Sequence, residues 1–410
     1  MGKKLLVVSQ HFWPEPIFRF HEYCIEFVKK GYDVEVICGL PNYPTGQFAQ
    51  GYGYFGKRKE TYNGIKIKRC FEIKRGNSSY FRLVLNFISY SLSGLVKIPY
   101  LLTQKYDHIL MFQLTPISMI WPGLIVSKLK KIPSTIYVFD VWPENIFSVV
   151  NFKSKKLRNF ITRLSNWHYK KADKLVVYSE SARELFIKRL GISPDKIICV
   201  PQSCEKLHEE DITDPILIER FSNSFNIVFT GTVNPGQSFE TIVTAAKRII
   251  DDGIEDIKWI IVGDGMSLNW LKNEIKKNNL SKYFVFEGIQ PVSRVPSYTY
   301  IADGLISCLN KADSYNYAIP AKVMSYFAAG KPMLLAIDGE IQDIVNENQF
   351  GFACDAEDSE QLYLNIKKLY SMPKVERAEM GARVKEYHYA NYEWTKCFEK
   401  LEAFIREEDG

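Results

Sequence analysis

The chain has no Cys-x-x-Cys pair among its eight cysteines, which lie at positions 24, 38, 70, 199, 204, 308, 354 and 397. Cys199 and Cys204 are the closest two, and no histidine cluster accompanies them, which excludes the usual zinc-site spacings. Scattered, unpaired cysteines are typical of a reducing compartment. We therefore expect a cytoplasmic protein with neither a structural metal nor a disulfide framework.

Long apolar segments are also scarce. The run from Leu5 to Val8 ends at polar Ser9 and is too short for the hydrophobic core of a signal peptide, so we expect no cleaved leader. The most apolar stretch, residues 80–102, carries Arg82 and Lys97, which enclose only 14 residues. A transmembrane helix needs about 20, so we expect no membrane-spanning helix.

Residues 80–102 nevertheless predict an unusual helix. The polar residues recur every three or four positions and form one stripe on an otherwise apolar helix. They are Arg82, Asn86, Ser89, Ser93 and Lys97. Such a helix either packs into the first domain or lies in a membrane interface beside basic groups. We favour packing, since apolar helices in large domains usually belong to the core.

No solenoid repeat or low-complexity tract is present. At 410 residues the chain exceeds one ordinary core, and 46% hydrophobic residues exclude a largely disordered chain. We predict an N-terminal domain at 1–205, an acidic, turn-rich linker at 206–224 and a C-terminal domain at 225–385. The last helix, 386–410, is predicted to pack back on the N-terminal domain.

Short apolar runs alternate with helical patterns in both halves, which predicts βαβ units and mostly parallel sheets. In the first half we expect strands at 4–9, 33–38, 65–70, 108–114, 135–139 and 174–178, and helices at 19–30, 117–129 and 155–171. In the second half we expect strands at 226–230, 259–262, 284–287, 304–308 and 332–337, and helices at 239–250, 268–278 and 321–329. The fold class is therefore α/β, with two Rossmann-like domains in series.

The charge is divided between the halves. Residues 1–200 hold 31 Lys and Arg against 14 Asp and Glu, a net charge of +17, whereas residues 201–410 hold 22 against 33, a net charge of −11. The basic half indicates that one domain has an anionic partner. Three kinds of partner fit this charge: nucleic acid, a membrane surface or a phosphorylated lipid. The alternative is a chance distribution of solvated charge.

Ligands of parallel sheets bind beyond the carboxyl ends of the strands. In the second half these ends carry glycines, which allow the backbone to approach a ligand closely, and a helix start that offers free N–H groups to phosphate. The residues concerned are Gly231, Thr232, Asn234, Gln237, Gly263, Asp264, Gly265, Gly288 and Pro320. Lys322 is the one cation between Ala312 and Gly330, so we predict that it neutralises a nucleotide diphosphate. The alternative is a set of turn glycines and a solvated lysine.

In the first half, polar and aromatic residues follow three strands at 11–15, 39–46 and 140–144. Such groups at one sheet edge are typical of a sugar-binding cleft. Asp140 is the candidate that orients or deprotonates an acceptor hydroxyl, with Glu15 on the same side. A capping role for Asp140 or Asp264 is the alternative.

Taken in order, these motifs resemble those of a family 4 retaining glycosyltransferase of the GT-B fold, of the subgroup that assembles bacterial capsule, exopolysaccharide and O-antigen. The resemblance covers almost the whole chain. It is carried by WPE at 13–15, GYDVEV at 31–36, GLPNYPTG at 39–46, FDVWPE at 139–144, Gly231 with Gln237, VGDG at 262–265, IPAK at 319–322 and AAGKP at 328–332.

The resemblance implies two Rossmann-like domains facing across a cleft, with a C-terminal helix returning to the first domain. It also implies a nucleotide-sugar donor held mainly by the C-terminal domain, and retention of configuration with no required metal or other cofactor. The chain contains no Asp-x-Asp triad, the usual metal-diphosphate signature of the other main glycosyltransferase fold. Members of the subgroup commonly act on undecaprenyl-diphosphate-linked sugars at the inner membrane face, where anionic lipid attracts basic groups.

The sequence departs from the family at two places near the donor site. Many members carry two glutamates eight residues apart, where this chain has Tyr317 and Ser325. Ribose recognition is then left to Glu340 or to backbone groups.

Phosphate recognition departs as well. The Arg and Lys often found beyond the Gly231 loop are missing, which leaves phosphate neutralisation to Lys322 and Arg294. The glycine-rich loop usual after the first strand is shortened, which leaves Arg19 as a candidate phosphate partner.

We therefore predict a peripheral membrane enzyme at the inner face of the cytoplasmic membrane that binds no nucleic acid. It would move a sugar, with the N-acetylhexosamine type as the candidate, from a UDP donor to a lipid-linked acceptor in bacterial surface polysaccharide synthesis. Asp140, Lys322 and Glu15 are the catalytic candidates. The alternatives are a nucleotide-sugar 2-epimerase of the same fold and a non-catalytic two-domain binding protein.

Overall fold

The computed structural model describes residues 2–76, 80–149, 153–204, 212–312, 315–317 and 319–406. The chain divides into two compact units. The first consists of Met1–Val200 with Phe398–Gly410, and the second of Pro201–Cys397.

The first unit is built on an eight-stranded sheet. Its strands are β1 (Lys4–Val8), β2 (Asp33–Cys38), β3 (Lys59–Tyr62), β4 (Ile65–Arg69), β5 (His108–Gln113), β6 (Ser134–Val138), β7 (Lys174–Val177) and β8 (Ile197–Cys199). The order is β3-β4-β2-β1-β5-β6-β7-β8, and only the β3–β4 pair is antiparallel. The helices are α1 (Phe18–Lys29), α2 (Tyr80–Leu95), α3 (Ile98–Thr103), α4 (Trp121–Lys130), α5 (Glu144–Val149), α6 (Lys155–Lys171) and α7 (Glu180–Leu190). Because helices cover both faces, β5 and β6 are buried along their whole length and consist largely of apolar residues.

The second unit contains a six-stranded, all-parallel sheet. In chain order its elements are α8 (Pro215–Arg220), β9 (Phe225–Thr230), α9 (Phe239–Asp251), β10 (Ile257–Val262), α10 (Leu268–Lys277), β11 (Phe284–Gly288), α11 (Val295–Tyr300), β12 (Gly304–Cys308), α12 (Ala321–Ala329), β13 (Met333–Ala336), α13 (Glu340–Glu347), β14 (Gly351–Cys354), α14 (Ser359–Ser371) and α15 (Lys374–Asn391). The order β11-β10-β9-β12-β13-β14 reverses at β9. Ile227 and Phe229 pack on one face of the sheet and Val228 on the other, which explains the unbroken apolar run.

The last helix, α16 (Trp394–Arg406), contributes its final two-thirds to the first unit. Phe398 is buried and packs edge-on against Phe27 of α1, with ring centroids 5.0 Å apart. The hydroxyl of Tyr32 donates to Glu402 at 2.9 Å, and the Lys174 ammonium donates to the carbonyl of Phe404 at 2.6 Å.

The predicted α/β class with two parallel-sheet, Rossmann-like domains is confirmed. The predicted strands and helices all form, with ends shifted by a few residues, but the short strands β3, β8 and β14 escaped prediction. The predicted helix at 117–129 begins as a 3₁₀ turn, Ile117–Ile120, and continues as α4. Part of the stretch expected to be a linker is packed, since it contains α8, and Leu217 and Phe221 are buried in the second unit.

Helix α2 lies with its polar stripe inward, the reverse of an ordinary core helix. Asn86 is fully buried, and the Ser89 and Ser93 hydroxyls bond to the backbone of Ile73 and Phe71 at 2.9 and 2.5 Å. The apolar side is exposed, so the expectation that this side packs into the core was wrong. By length and composition Phe81–Thr103 could cross a membrane, contrary to the expectation that this stretch is too short, and only 22% of its most apolar window is buried.

We expect α16 to be required for the stability of the first unit. Phe398→Ala removes a buried ring between α1 and the C-terminal helix and should lower the free energy of unfolding by about 3 kcal/mol. Urea denaturation followed by circular dichroism measures this change. Phe55→Ala is the control, because Phe55 is fully exposed and its removal should cost less than about 0.5 kcal/mol. Equal midpoints for the two variants would contradict the assignment of α16 to this core.

Candidate active site

Three glycines stand at the carboxyl edge of the second sheet, beside the reversal of strand order at β9. Gly231 follows β9, Gly263 follows β10, and Gly288 ends β11. Their backbones are joined, since the N–H of Gly231 donates to Val262 at 2.9 Å and that of Gly263 donates to Gly288 at 2.8 Å. Ligands of parallel α/β sheets bind at this kind of edge.

Only glycine fits two of these positions. Gly231 and Gly263 have φ of 127° and 144°, which disfavour any residue with a Cβ atom. A Cβ on Gly263 would also collide with the carbonyl oxygen of Gly231. The turn glycines therefore let two strand ends contact each other through their backbones. We call the backbone surface at Gly231 and Gly263 the floor of the candidate site.

Lys322 lies beside this floor, in the first turn of α12. Its ammonium sits 3.9 Å from the ring centroid of Phe229 and contacts the amide oxygen of Gln237. A Cβ on Gly231 would lie 3.3 Å from the Lys322 Cε. Burial disfavours the ammonium and lowers the pKa of Lys322 to about 7. A cation held in this way gains strongly from an arriving anion.

Helix α12 is fixed so that its N-terminus faces the same edge. The hydroxyl of Tyr326 accepts from the N–H of Thr230 at 3.1 Å and donates to the carbonyl of Ile306 at 3.0 Å, which ties the helix to β9 and β12. Pro320 precedes α12 and makes no side-chain cap bond within the described chain. The first-turn amides and the helix dipole thus favour a negative group here.

The loop after β9 is held in place by its own polar groups. Asn234 Oδ1 accepts from the N–H of Gly236 at 3.0 Å, and Asn310 donates to the carbonyl of Gly236 at 3.2 Å. A Cβ on Gly236 would lie 3.0 Å from the hydroxyl of Tyr315. Hydrogen bonds therefore hold the predicted binding loop, which includes Asn234 and Gln237, in a defined conformation.

The remaining polar candidates on the glycine turns lie at the surface. Thr232 and Asp264 are exposed. Asp264 accepts from the N–H of Gly265 at 2.6 Å through its side chain and from that of Val233 at 2.9 Å through its carbonyl. These bonds match the capping alternative for Asp264, while Gly265 allows the close approach to Val233.

Arg294 and Glu340 are placed differently from Lys322. Arg294 is 48% exposed and forms an ion pair of 2.8 Å with Asp214, the N-cap of α8. Glu340 is half-buried at the start of α13, and the preceding Gly339 fits closely against the backbone of Asn316. Phosphate neutralisation by Arg294 and ribose recognition by Glu340 stay predictions.

The two positions where many family members have glutamates hold no acid. Ser325 is buried in α12 and donates to the carbonyl of Lys322 at 2.7 Å. Tyr317 is half-buried in the 3₁₀ turn Tyr315–Tyr317. Within this helix Lys322 therefore faces no carboxylate that would compete with a ligand.

In the first unit, Asp140 follows β6 and is held by the neighbouring strand end. The hydroxyl of Thr115, after β5, donates to Asp140 Oδ2 at 2.8 Å and accepts from the indole N–H of Trp142 at 3.0 Å. Burial raises the pKa of Asp140, against the opposing effect of the Thr115 hydrogen bonds and the His11 charge. A desolvated carboxyl of this kind is suited to accept a proton or a hydrogen bond from a hydroxyl.

His11 and Glu15 form a buried pair after β1. His11 Nδ1 lies 2.8 Å from one carboxylate oxygen of Glu15, and the other oxygen accepts from the N–H groups of Asn42 and Tyr43 at 2.7 and 2.8 Å. Although burial disfavours the imidazolium, the Glu15 carboxylate raises the pKa of His11 above its ordinary value. Glu15 thus fastens the loop at 39–46 and favours the protonated form of His11, which is a positioning role.

A buried polar cluster adjoins this pair and escaped prediction. Glu72 Oε1 accepts from Gln10 at 2.9 Å, from Asn42 at 3.2 Å and from Asn86 of α2 at 2.6 Å. Burial raises the pKa of Glu72 to about 7. Gly39 is required beside it, since a Cβ there would collide with the carboxylate. The inward polar stripe of α2 was the only sequence signal for this cluster.

Arg19 lies in the first turn of α1 and is half-buried. Among the residues that the structure describes, no three His, Cys, Asp or Glu side chains are grouped so as to hold a metal ion.

Two family models match the chain. The model of glycosyltransferase family 4 matches residues 19–203, and that of glycosyl transferases group 1 matches residues 218–389. Together they account for most of the sequence, one in each unit.

Curated relatives and solved structures agree with these models. The chain is 23% identical over 278 residues to the probable glycosyltransferase WbjE of Pseudomonas aeruginosa, covering 66% of this chain and 67% of that one. It is 26% identical over 175 residues to the Escherichia coli UDP-Gal:alpha-D-GlcNAc-diphosphoundecaprenol alpha-1,3-galactosyltransferase, covering 40% and 43%. The structure of Anabaena HepE in complex with UDP matches with a TM-score of 0.69 at 12% identity over 99% of this chain and 100% of that one.

We expect the contact between the two glycine turns to be sensitive to a single methyl group. Gly263→Ala should lower the free energy of unfolding by about 2 kcal/mol more than Gly253→Ala, because the first adds a steric collision to the backbone strain. Gly253 also has positive φ, but nothing lies within 4 Å of its absent Cβ. Urea unfolding curves compare the two variants. If Gly263→Ala were no less stable than Gly253→Ala, the close approach described above would be wrong.

Proposed function

Because the chain belongs to the GT-B glycosyltransferases of the family 4 type, we propose that it transfers a hexosyl or N-acetylhexosaminyl group from a UDP-sugar to a lipid-linked acceptor, with retention of configuration. The second unit binds the donor in this proposal. The first unit supplies the residues that bind and orient the acceptor.

The observation that carries the donor assignment is the position of Lys322 beside the Gly231 turn. Burial lowers the pKa of the side chain, and among the described residues its ammonium contacts Gln237 and Phe229 with no carboxylate paired to it. A diphosphate here would restore the solvation that the ammonium lacks and would accept hydrogen bonds from the first-turn amides of α12. As the glycosidic bond to the donor breaks, charge builds on the leaving diphosphate, and Lys322 stabilises it.

Asp140 is the acceptor-side candidate. Its carboxyl is oriented by Thr115 at the carboxyl edge of the first sheet, where a sugar hydroxyl reaches it from solvent. Asp140 would orient that hydroxyl, and His11 nearby would interact with acceptor oxygens. Glu15 acts through His11 and the loop at 39–46.

A lipid-linked acceptor and a site at the inner face of the cytoplasmic membrane are supported by two observations. The first unit carries most of the positive charge of the chain. One relative acts, by its name, on a sugar attached to diphosphoundecaprenol. An acceptor of that class carries both an anionic diphosphate and a long apolar tail.

The test is an assay with UDP-sugars and a polyprenyl-diphosphate-linked sugar. We expect UDP release and a lipid product one sugar longer, with the anomeric configuration of the donor retained by NMR. Asp140→Asn should lower turnover by about 10²-fold or more and leave UDP affinity within about twofold, because the donor binds the other unit. An isomerised sugar nucleotide formed without acceptor would instead identify an epimerase, and binding without any turnover a binding protein.

We expect Lys322→Met to stabilise the protein while weakening donor binding. UDP affinity should fall by about 10- to 100-fold through loss of a charge-assisted contact. The melting temperature of the free protein should rise, because methionine removes a cation that is buried at a cost.

The pH dependence distinguishes this effect from general repacking. The folded-state pKa of Lys322 is lowered, so the unfolded chain binds more protons between the folded value of about 7 and the ordinary value near 10.5. The gain in melting temperature should therefore be largest below about pH 7 and shrink toward about pH 10. Differential scanning fluorimetry across this range measures it. A variant that melts below the parent at every pH would rule out a desolvated ammonium.

A further inference from the structure

Helix α2 presents an uncovered apolar row to solvent. Phe81, Val84, Ile88 and Leu92, continued by Val96 directly after the helix, recur every three or four residues and are between 49 and 77% exposed. The opposite side is anchored, because Asn86 and its neighbouring serines bond to the segment at 71–76. The helix is therefore held with its apolar row outward and cannot leave the unit to span a bilayer without breaking buried hydrogen bonds.

Helix α6 repeats this arrangement. Leu157, Phe160, Leu164 and Trp167 lie along one side of the helix and are 44, 61, 40 and 52% exposed. The side of the helix that faces the unit is more polar, and it buries Ser165, His168 and Tyr169.

Helix α4 joins the two. Gly94 of α2 lies so close to Pro122 of α4 that a Cβ would be 2.7 Å from the proline ring. The indole N–H of Trp121 donates to His168 of α6 at 2.6 Å. Leu129 of α4 is itself 64% exposed. The exposed sides of α2, α4 and α6 thus form one layer, which we call the α2–α4–α6 face.

The charge of these helices has one sign. Helix α2 carries one Lys or Arg, α4 carries two and α6 carries six, while none of the three contains Asp or Glu. Lys155, Lys156, Arg163, Lys170 and Lys171 are exposed on α6. Apolar rows flanked by cations match a surface that is anionic at its headgroups and apolar just beneath them.

We propose that the α2–α4–α6 face docks the first unit on an anionic lipid bilayer, with its apolar rows in the interfacial region. The proposal makes the membrane location of the proposed function specific to three helices, and donor binding by the second unit does not depend on it. A bilayer is favoured over an acidic protein partner because the exposed apolar side chains are spread over three neighbouring helices, and the only charged residues on those helices are Lys and Arg.

The test is co-sedimentation of the full chain with phosphatidylcholine vesicles that contain or lack phosphatidylglycerol. The parent should bind the anionic vesicles at least about tenfold more strongly, since each basic group near the surface contributes about fivefold, and high salt should reduce binding. Leu92→Asp/Phe160→Asp should weaken binding by about tenfold or more, because two large apolar side chains no longer insert.

Leu364→Asp/Val375→Asp is the matched control. Both residues are exposed on helices of the second unit, at 45 and 69%, and this variant should bind as the parent does. Circular dichroism and UDP affinity should match in all three proteins. Intact UDP affinity without vesicle binding would overturn the docking face and leave the donor site standing, whereas vesicle binding without UDP binding or sugar transfer would overturn the proposed function and leave the docking face standing.

A second readout reports the depth of insertion. Brominated lipids should quench tryptophan emission in the parent, and Trp167→Phe should lose most of that quenching while it still binds. Equal sedimentation of parent and Leu92→Asp/Phe160→Asp would overturn the proposal. So would a parent that dimerises through these residues and ignores vesicles, because the face would then serve a second copy of the chain.

Discussion

The second unit depends on contact between backbones at the end of its parallel sheet. Gly231 and Gly263 approach so closely that no side chain fits between them, and the floor at these strand ends therefore consists of backbone alone. Lys322 lies beside that floor, desolvated and stacked on Phe229. Burial lowers the pKa of Lys322 to about 7 and so disfavours its ammonium, and in the proposed function a bound diphosphate offsets that effect.

The first unit follows a different physical scheme, in which buried polar groups determine how a helix lies. Glu72 gathers donors from Gln10, Asn42 and Asn86. Since Asn86 belongs to α2, the polar side of that helix has to face inward, and its apolar side is therefore exposed at the surface. In the proposals made above, the buried cluster beside the acceptor residues and the α2–α4–α6 face are thus two sides of one helix.

The strands with unbroken apolar runs were predictable because a parallel sheet covered on both faces demands them. Strand β3, with the sequence KETY, was not predictable, since an exposed edge strand needs no apolar pattern. The glycine turns could be placed after the strands because the apolar runs before them mark the strand ends, while the assignment of these glycines and Lys322 to a donor site stays a prediction. The Glu72 cluster could not, because Gln10 lies 62 residues from Glu72, and a polar stripe on a helix is normally read as its solvent side. Without knowing what that stripe contacts, the direction of α2 is undetermined.

The path of the chain has a consequence for biosynthesis. The first unit begins at the N-terminus but takes part of its core from α16, where Phe398 and Phe404 are buried. During translation the ribosome therefore releases the whole second unit before the first can close. Until then the α1 surface that receives Phe398 stays open to chaperones, and the second unit, whose elements are contiguous, is free to fold ahead of it.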